Sequence, residues 1–69
     1  MQIFYSIYEC RTKKNLTLRE LSKVSGVSKS QINLIENGKT HPNVYTLCLI
    51  AAALKVSPYE LFSVDMESG

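Results

Sequence analysis

The residues with the clearest chemical potential lie between positions 16 and 39, which read LTLRELSKVSGVSKSQINLIENGK. The second half of this stretch carries small polar and basic side chains, whose groups donate and accept hydrogen bonds. A tight turn at Gly26 separates two short helical patterns. Small proteins use this arrangement to hold one helix out for insertion into the major groove of DNA. The stretch therefore predicts a helix-turn-helix that contacts DNA.

The other reactive side chains show no arrangement that indicates catalysis or metal binding. One histidine and two scattered cysteines lack the spacing of metal ligands. His41 has no plausible nucleophile or acid partner, and the sequence contains no glycine-rich phosphate loop. Cys10 and Cys48 fall on or beside inward helix faces, so we expect buried free thiols. The sequence predicts no metal, no cofactor and no enzymatic activity.

Three helix starts carry the same local signal, a Ser or Thr followed three residues later by Glu or Gln. The pairs are Thr17 with Glu20, Ser28 with Gln31, and Ser57 with Glu60. In such a capping box each side chain satisfies a free backbone N–H of the first helical turn. Each cap stabilises its helix by about 1 kcal/mol, so these signals define the helix starts well.

Residues that tolerate the left-handed conformation mark the helix ends. Asn15, Gly26 and Gly38 end helices at about residues 3–14, 18–25 and 29–37. A fourth helix shows an inward apolar stripe of Val44, Leu47, Ala51 and Leu54. No window alternates as a strand does. We predict one all-α domain of five helices over residues 1–64, followed by a loose tail at 65–69.

No segment of the sequence indicates a membrane or a secretion signal. The longest apolar run is the eight residues 47–54, which is too short to cross a bilayer. No basic region precedes an apolar segment at the N-terminus. We expect a cytoplasmic, nucleoid-associated protein without membrane partners.

Charge is distributed unevenly along the chain, although the net charge is only +2. Residues 11–40 hold seven basic residues against two acidic ones, a local net charge of +5. From residue 56 onward there are three acidic residues and no basic one. A basic half facing phosphate fits DNA binding, whereas ordinary solvated lysines would be the better explanation without the helix-turn-helix pattern.

Residues 7–62 resemble the Cro/phage-repressor (XRE) family of helix-turn-helix regulators. The matching pieces are Arg11, residues 16–22, Gly26-Val27-Ser28, Ile32, Ile35-Glu36-Asn37-Gly38-Lys39, residues 46–51 and residues 56–62. The resemblance implies a five-helix, lambda-repressor-like fold in which helices 2 and 3 form the helix-turn-helix.

The resemblance also implies roles for individual residues. Those implied to contact base edges are Lys29, Ser30, Gln31, Asn33 and Leu34, and those implied to contact phosphate are Arg19, Ser28, Asn37, Lys39 and Thr40. Gln31 is explained equally well by its capping box. The family pairs an Arg of the first helix with the Glu of the Glu-Asn-Gly segment, here Arg11 with Glu36. Leu18 departs from the family, whose members often have a Gln there that contacts phosphate. Arg19 can supply a phosphate contact in place of that Gln.

Excess apolar residues indicate a further surface. Tyr45, Leu49 and Ala52 form a second stripe on the fourth helix, which we interpret as a homodimer interface. Phe4 and Tyr8 are expected to thicken a small core. A dimer would bind a palindromic double-stranded operator. We therefore expect a sequence-specific transcriptional regulator, and its role as a repressor rests on the resemblance. The alternative is a protein-interaction module, such as an antitoxin or adaptor, in which DNA binding is secondary.

Overall fold

The computed structural model describes residues 1–67. This part of the chain contains four α-helices, a short 3₁₀ turn and a two-stranded sheet. In chain order the elements are β1 (Gln2–Tyr5), α1 (Ile7–Lys13), α2 (Leu18–Ser25), α3 (Lys29–Glu36), α4 (Val44–Leu54), the 3₁₀ turn (Pro58–Glu60) and β2 (Phe62–Asp65). The boundaries expected for the second helix agree with α2. The predicted count of five helices is not confirmed, because the Ser57 cap begins a three-residue 3₁₀ turn rather than an α-helix.

A two-stranded antiparallel sheet corrects the all-α prediction. β1 pairs with β2 so that Ile3 lies opposite Val64 and Tyr5 lies opposite Phe62. The expected first helix from residue 3 is therefore too long, and α1 begins only at Ile7. Isoleucine and aromatic residues suit a pleated surface, but the pairing partner lies some sixty residues away along the chain. Local periodicity contains no information about such a distant partner.

β2 also changes the interpretation of the C-terminus. Asp65, the first residue of the predicted loose tail, belongs to β2 and pairs with Gln2. Met66 and Glu67 follow the strand and are exposed to solvent. The rest of the predicted tail, residues 68–69, lies outside the described residues.

The core draws at least one apolar side chain from every α-helix. Its fully buried large members are Ile7, Leu21, Ile32, Ile35, Ile50, Leu54 and Leu61. Leu47 and Ala51 from the predicted α4 stripe are also buried, but Val44 is 78% exposed. A helical side chain covers the turn before its own Cα, so at the first residue of α4 it projects past the end of the helix.

Four other side chains differ from expectation in their exposure. Cys48 is exposed and Cys10 is half-buried, so the prediction of two buried thiols is wrong, although both cysteines are free. Phe4 and Tyr8 are 50% and 55% exposed rather than core residues. Phe4 alternates with Ile3 and Tyr5 in β1, so it projects from the opposite face of the sheet. Within residues 1–67, no helix has the length and apolar character needed to cross a membrane.

Candidate nucleic-acid interface

The turn between α2 and α3 is held by a compact set of hydrogen bonds. Gly26 ends α2 in the left-handed conformation at φ +78°, and its N–H donates to the Ser22 carbonyl at 2.9 Å. The Ser22 hydroxyl donates to the Val27 carbonyl at 2.6 Å, while the Val27 N–H donates to Ser25 Oγ at 3.1 Å. Val27 is buried in the core. These contacts fix the angle at which α3 leaves α2.

Capping groups define the starts of both helices. At α2 the Thr17 hydroxyl accepts the Glu20 N–H at 3.1 Å, and the Glu20 carboxylate accepts the Thr17 N–H at 2.8 Å. Hydrogen bonding from Thr17 to the Glu20 carboxylate, from the Thr17 backbone above all and then from its side chain, lowers the pKa of Glu20 below its ordinary value. At α3 the Ser28 hydroxyl accepts the Gln31 N–H at 3.1 Å, and the Gln31 side chain is exposed.

α3 has one buried face and one exposed face. Ile32 and Ile35 are fully buried beneath it. All five residues that the resemblance assigns to base edges are exposed: Lys29, Ser30, Gln31, Asn33 and Leu34. Leu34 is an exposed apolar residue, with 45% of its surface accessible. The outward face of α3 thus combines an ammonium, hydroxyl and amide groups with one apolar side chain.

The end of α3 is anchored to α1 by a bidentate ion pair. Arg11 Nε donates to Glu36 Oε2 at 2.8 Å and Arg11 Nη2 donates to Glu36 Oε1 at 3.1 Å. Only 10% of the Arg11 side chain and 6% of the Glu36 side chain are exposed. Hydrogen bonding of the Arg11 guanidinium to the Glu36 carboxylate raises the pKa of Arg11. Arg11 Nη1 also donates to the Leu16 carbonyl at 2.9 Å, which ties the α1–α2 loop to the same pair.

The segment after α3 carries the residues that the resemblance assigns to phosphate. Gly38 takes φ +70°, and the Lys39 N–H donates to the Leu34 carbonyl at 2.9 Å, which closes α3 with a Schellman-type end. Asn37 and Lys39 are exposed, whereas Thr40 is half-buried. Arg19 in the first turn of α2 and the cap residue Ser28 are exposed as well.

Sequence reasoning missed a contact between two of these side chains. The Asn37 amide nitrogen donates to Asn33 Oδ1 at 3.1 Å and to the Asn33 carbonyl at 2.9 Å. The spacing of four residues, which makes neighbours on a helix surface, is the signal that indicates such a pair. The structure thus joins a residue assigned to bases with one assigned to phosphate.

The electrostatics of residues 11–40 are set by where their two acidic side chains lie. Glu36 is largely buried against Arg11, and the Glu20 carboxylate is engaged in its capping box. The lysines at positions 13, 14, 23, 29 and 39 are exposed, as is Arg19. The accessible charge of this part of the chain is therefore mainly positive, which favours contact with a polyanion.

The outward face of α4 lies apart from these cations. We call Val44, Tyr45, Cys48 and Ala52 the α4 face, because all four are exposed on one side of the helix. Tyr45 is 73% exposed, but Leu49, expected in the same stripe, is half-buried against the core. An apolar groove of about 240 Å³ adjoins this face between α4, Tyr59 and Phe62. No cluster of potential metal ligands occurs among residues 1–67.

Comparison with known proteins assigns this arrangement to a family. The helix-turn-helix family model HTH_3 matches residues 7–61. The chain is 45% identical over 53 residues to the uncharacterized HTH-type transcriptional regulator RghRB of Bacillus subtilis, covering 75% of this chain and 37% of RghRB. It is 41% identical over 58 residues to the uncharacterized HTH-type transcriptional regulator y4dJ of Sinorhizobium fredii, covering 84% of this chain and 75% of y4dJ.

A solved structure agrees with the sequence comparisons. The restriction-modification controller protein C.AhdI from Aeromonas hydrophila superposes with a TM-score of 0.76 at 30% identity, covering 78% of this chain and 82% of that chain. The chain spans little more than a third of RghRB, so the likeness to that relative concerns the helix-turn-helix region alone. With residues 7–61 matched by the helix-turn-helix family model, the chain belongs to the XRE-type helix-turn-helix family.

Proposed function

We propose that this protein is a repressor that binds a palindromic operator as a homodimer, with α3 of each protomer in the major groove. The observation that carries the proposal is the exposed polar face of α3. It is presented by a helix that the Gly26 turn holds at one end and the Arg11–Glu36 pair holds at the other. Rigid presentation lowers the entropic cost of docking hydrogen-bonding groups on base edges.

The proposed contacts divide into two kinds. Base edges are contacted by Lys29, Ser30, Gln31, Asn33 and Leu34. Lysine donates to guanine, asparagine pairs with adenine, and an apolar side chain contacts the thymine methyl group. Phosphates are contacted by Arg19, Ser28, Lys39 and Thr40. Phosphate contacts position the protein on the duplex without selecting a sequence.

The homodimer is proposed to form through the α4 face, with Tyr45 and Ala52 in contact and half-buried Leu49 at its margin. α4 contains no charged residue over its eleven positions, so two copies can approach without like-charge repulsion. Two recognition helices about 34–36 Å apart would then contact half-sites one helical turn apart. Occupation of such an operator in nucleoid DNA blocks transcription by exclusion.

Selection of bound sequences from random duplex DNA tests the proposal. We expect an enriched palindrome whose binding falls steeply with salt, with a log–log slope of about −0.9 per neutralised phosphate. The matched variant Leu34→Ala keeps every charge of α3, so it should preserve the salt slope and reduce the preference for thymine at one position. Selection of a palindrome supports the proposal, whereas a wild-type protein that enriches no sequence overturns it.

The second candidate is a protein-interaction module, favoured by the apolar groove beside α4. Tyr59 at its rim is 81% exposed, which is an unusual exposure for an aromatic ring. Docking of a protein on this groove should respond little to salt, because few charges are involved. Absence of sequence enrichment together with salt-insensitive binding of a protein partner would favour this second function.

A further inference from the structure

Two asparagines on the exposed side of α3 form a pair whose geometry has a consequence for base recognition. Asn37 lies one helical turn after Asn33, and both side chains are exposed. The Asn37 amide nitrogen donates to Asn33 Oδ1 at 3.1 Å and to the Asn33 carbonyl at 2.9 Å. The backbone N–H of Asn37 donates to the same carbonyl at 3.1 Å. Asn37 is therefore fastened to Asn33 through three hydrogen bonds.

These bonds occupy the donors of the Asn37 side chain. An asparagine amide nitrogen carries two hydrogens. Two acceptors, both on Asn33, engage that nitrogen. The Asn37 side chain is left with an oxygen that only accepts, and phosphate oxygens repel such a group. The pair therefore argues against the phosphate contact that the family resemblance assigns to Asn37.

The same bonds orient the carboxamide of Asn33. A carboxamide turned by half a rotation exchanges its donor and acceptor, so its preference for a base depends on its orientation. Because Asn37 donates to Asn33 Oδ1, the half-rotated arrangement would set two amide nitrogens against each other. Asn33 keeps its own amide nitrogen as a donor and one lone pair of Oδ1 as an acceptor.

We propose that Asn37 is a positioning residue that holds the Asn33 amide in the orientation needed to pair with adenine. Asn33 Nδ2 then donates to adenine N7, and Oδ1 accepts from adenine N6 while it still accepts from Asn37. The inference rests on the proposed function, since it requires α3 in the major groove. Within that function it assigns adenine as the base that the Asn33–Asn37 pair recognises.

The test compares the base preference of the full chain and its variants after selection from random duplex DNA. Asn33→Ala and Asn37→Ala should both lose the preference for adenine at the same single position of the selected sequence. In Asn37→Ala the preference for adenine over the other bases should fall by about threefold to tenfold. Affinity for a scrambled duplex should stay unchanged in Asn37→Ala. In the double variant Asn33→Ala/Asn37→Ala the loss of adenine preference should be no greater than in Asn33→Ala alone. Both substitutions remove the same contact to adenine, so their effects do not add.

Asn37→Asp tests whether Asn37 orients the Asn33 amide, because a purely structural role would not change which base is preferred. A carboxylate accepts but does not donate, so the Asn33 amide should turn, donate Nδ2 to Asp and expose Oδ1 to the base. The preference at this one position should shift from adenine towards cytosine, whose N4 group donates in the major groove. Overall affinity should also fall, because the new charge repels phosphate.

Lys39→Ala is the matched control for a phosphate contact. It should weaken binding to all sequences alike and reduce the salt slope by about one. If Asn37→Ala behaves in this way and leaves the adenine preference intact, the positioning role is overturned while the proposed function stands. If the wild type enriches no sequence, the positioning role and the proposed function are both overturned. Thermal unfolding of each variant, followed by circular dichroism, confirms that comparisons are made between folded proteins.

Discussion

At the scale of single residues, the Arg11–Glu36 pair links the end of α3 to α1. Its two hydrogen bonds, of 2.8 and 3.1 Å, join residues 25 positions apart in sequence. Both side chains have lost most of their contact with water. A buried pair of this kind orients its helices. It does not by itself indicate a gain in the free energy of unfolding, because burial removes hydration from both charges.

Arg11→Ala should destabilise the domain by about 3–5 kcal/mol, because it leaves the Glu36 carboxylate buried without a partner. That loss is comparable with the whole stability of a domain of this size. Urea unfolding followed by circular dichroism measures the free energy of unfolding. The double variant Arg11→Met/Glu36→Leu should recover most of the loss, since it removes both charges and keeps apolar volume. A cost below about 1 kcal/mol for Arg11→Ala would mean that the pair behaves as an exposed one.

At the scale of elements, the helix ends are set by short-range interactions. The caps at Thr17 and Ser28 and the left-handed glycines Gly26 and Gly38 involve groups no more than a few residues apart. α4 ends differently, because Lys55 takes the left-handed conformation at φ +58°. Lysine is not a residue that the sequence marks as a helix end, since its Cβ is crowded in that conformation.

Lys55→Gly should stabilise the domain by about 0.5–1 kcal/mol. Glycine removes the left-handed strain of about 1–2 kcal/mol, and the greater freedom of glycine in the unfolded chain offsets part of that gain. The control is Lys14→Gly, which changes an exposed lysine at φ −97° and should destabilise. The thermal unfolding midpoints of the two variants, compared with that of the wild type, measure both changes in stability. An equal loss of stability in the two variants would contradict the strain at Lys55.

At the scale of the whole molecule, the cationic side chains are concentrated in one part of the chain. Seven of the eight lie within residues 11–40, whereas the α4 face contains no charge. A dimer formed through the α4 face would leave α3 of both protomers available for DNA.

Tyr45→Glu should weaken self-association at least tenfold, because it sets two carboxylates opposite each other in an apolar interface. Sedimentation equilibrium at high micromolar concentration measures the dissociation constant. Val24→Glu is the matched control, since Val24 is 65% exposed on α2, outside the α4 face, and should leave self-association unchanged. A wild type that remains monomeric at these concentrations would contradict the dimer.

The boundaries of α2, the turn at Gly26 and the start of α3 were all predictable from the sequence. Their signals lie within four residues of the features they define, because capping and turn formation are local interactions. The ion pair between Arg11 and Glu36 was accessible only through the family resemblance. The adenine and phosphate contacts themselves stay predictions, since they depend on a bound duplex.

Tertiary structure alone decided two further features of this protein. Residues 2–5 form a strand because Phe62–Asp65 supplies a hydrogen-bonding edge from the far end of the chain. Val44 and Cys48 are exposed because the core covers α4 from one side only. The sequence by itself therefore determined where the helix-turn-helix begins, turns and ends, while pairing and burial between distant segments required the folded chain.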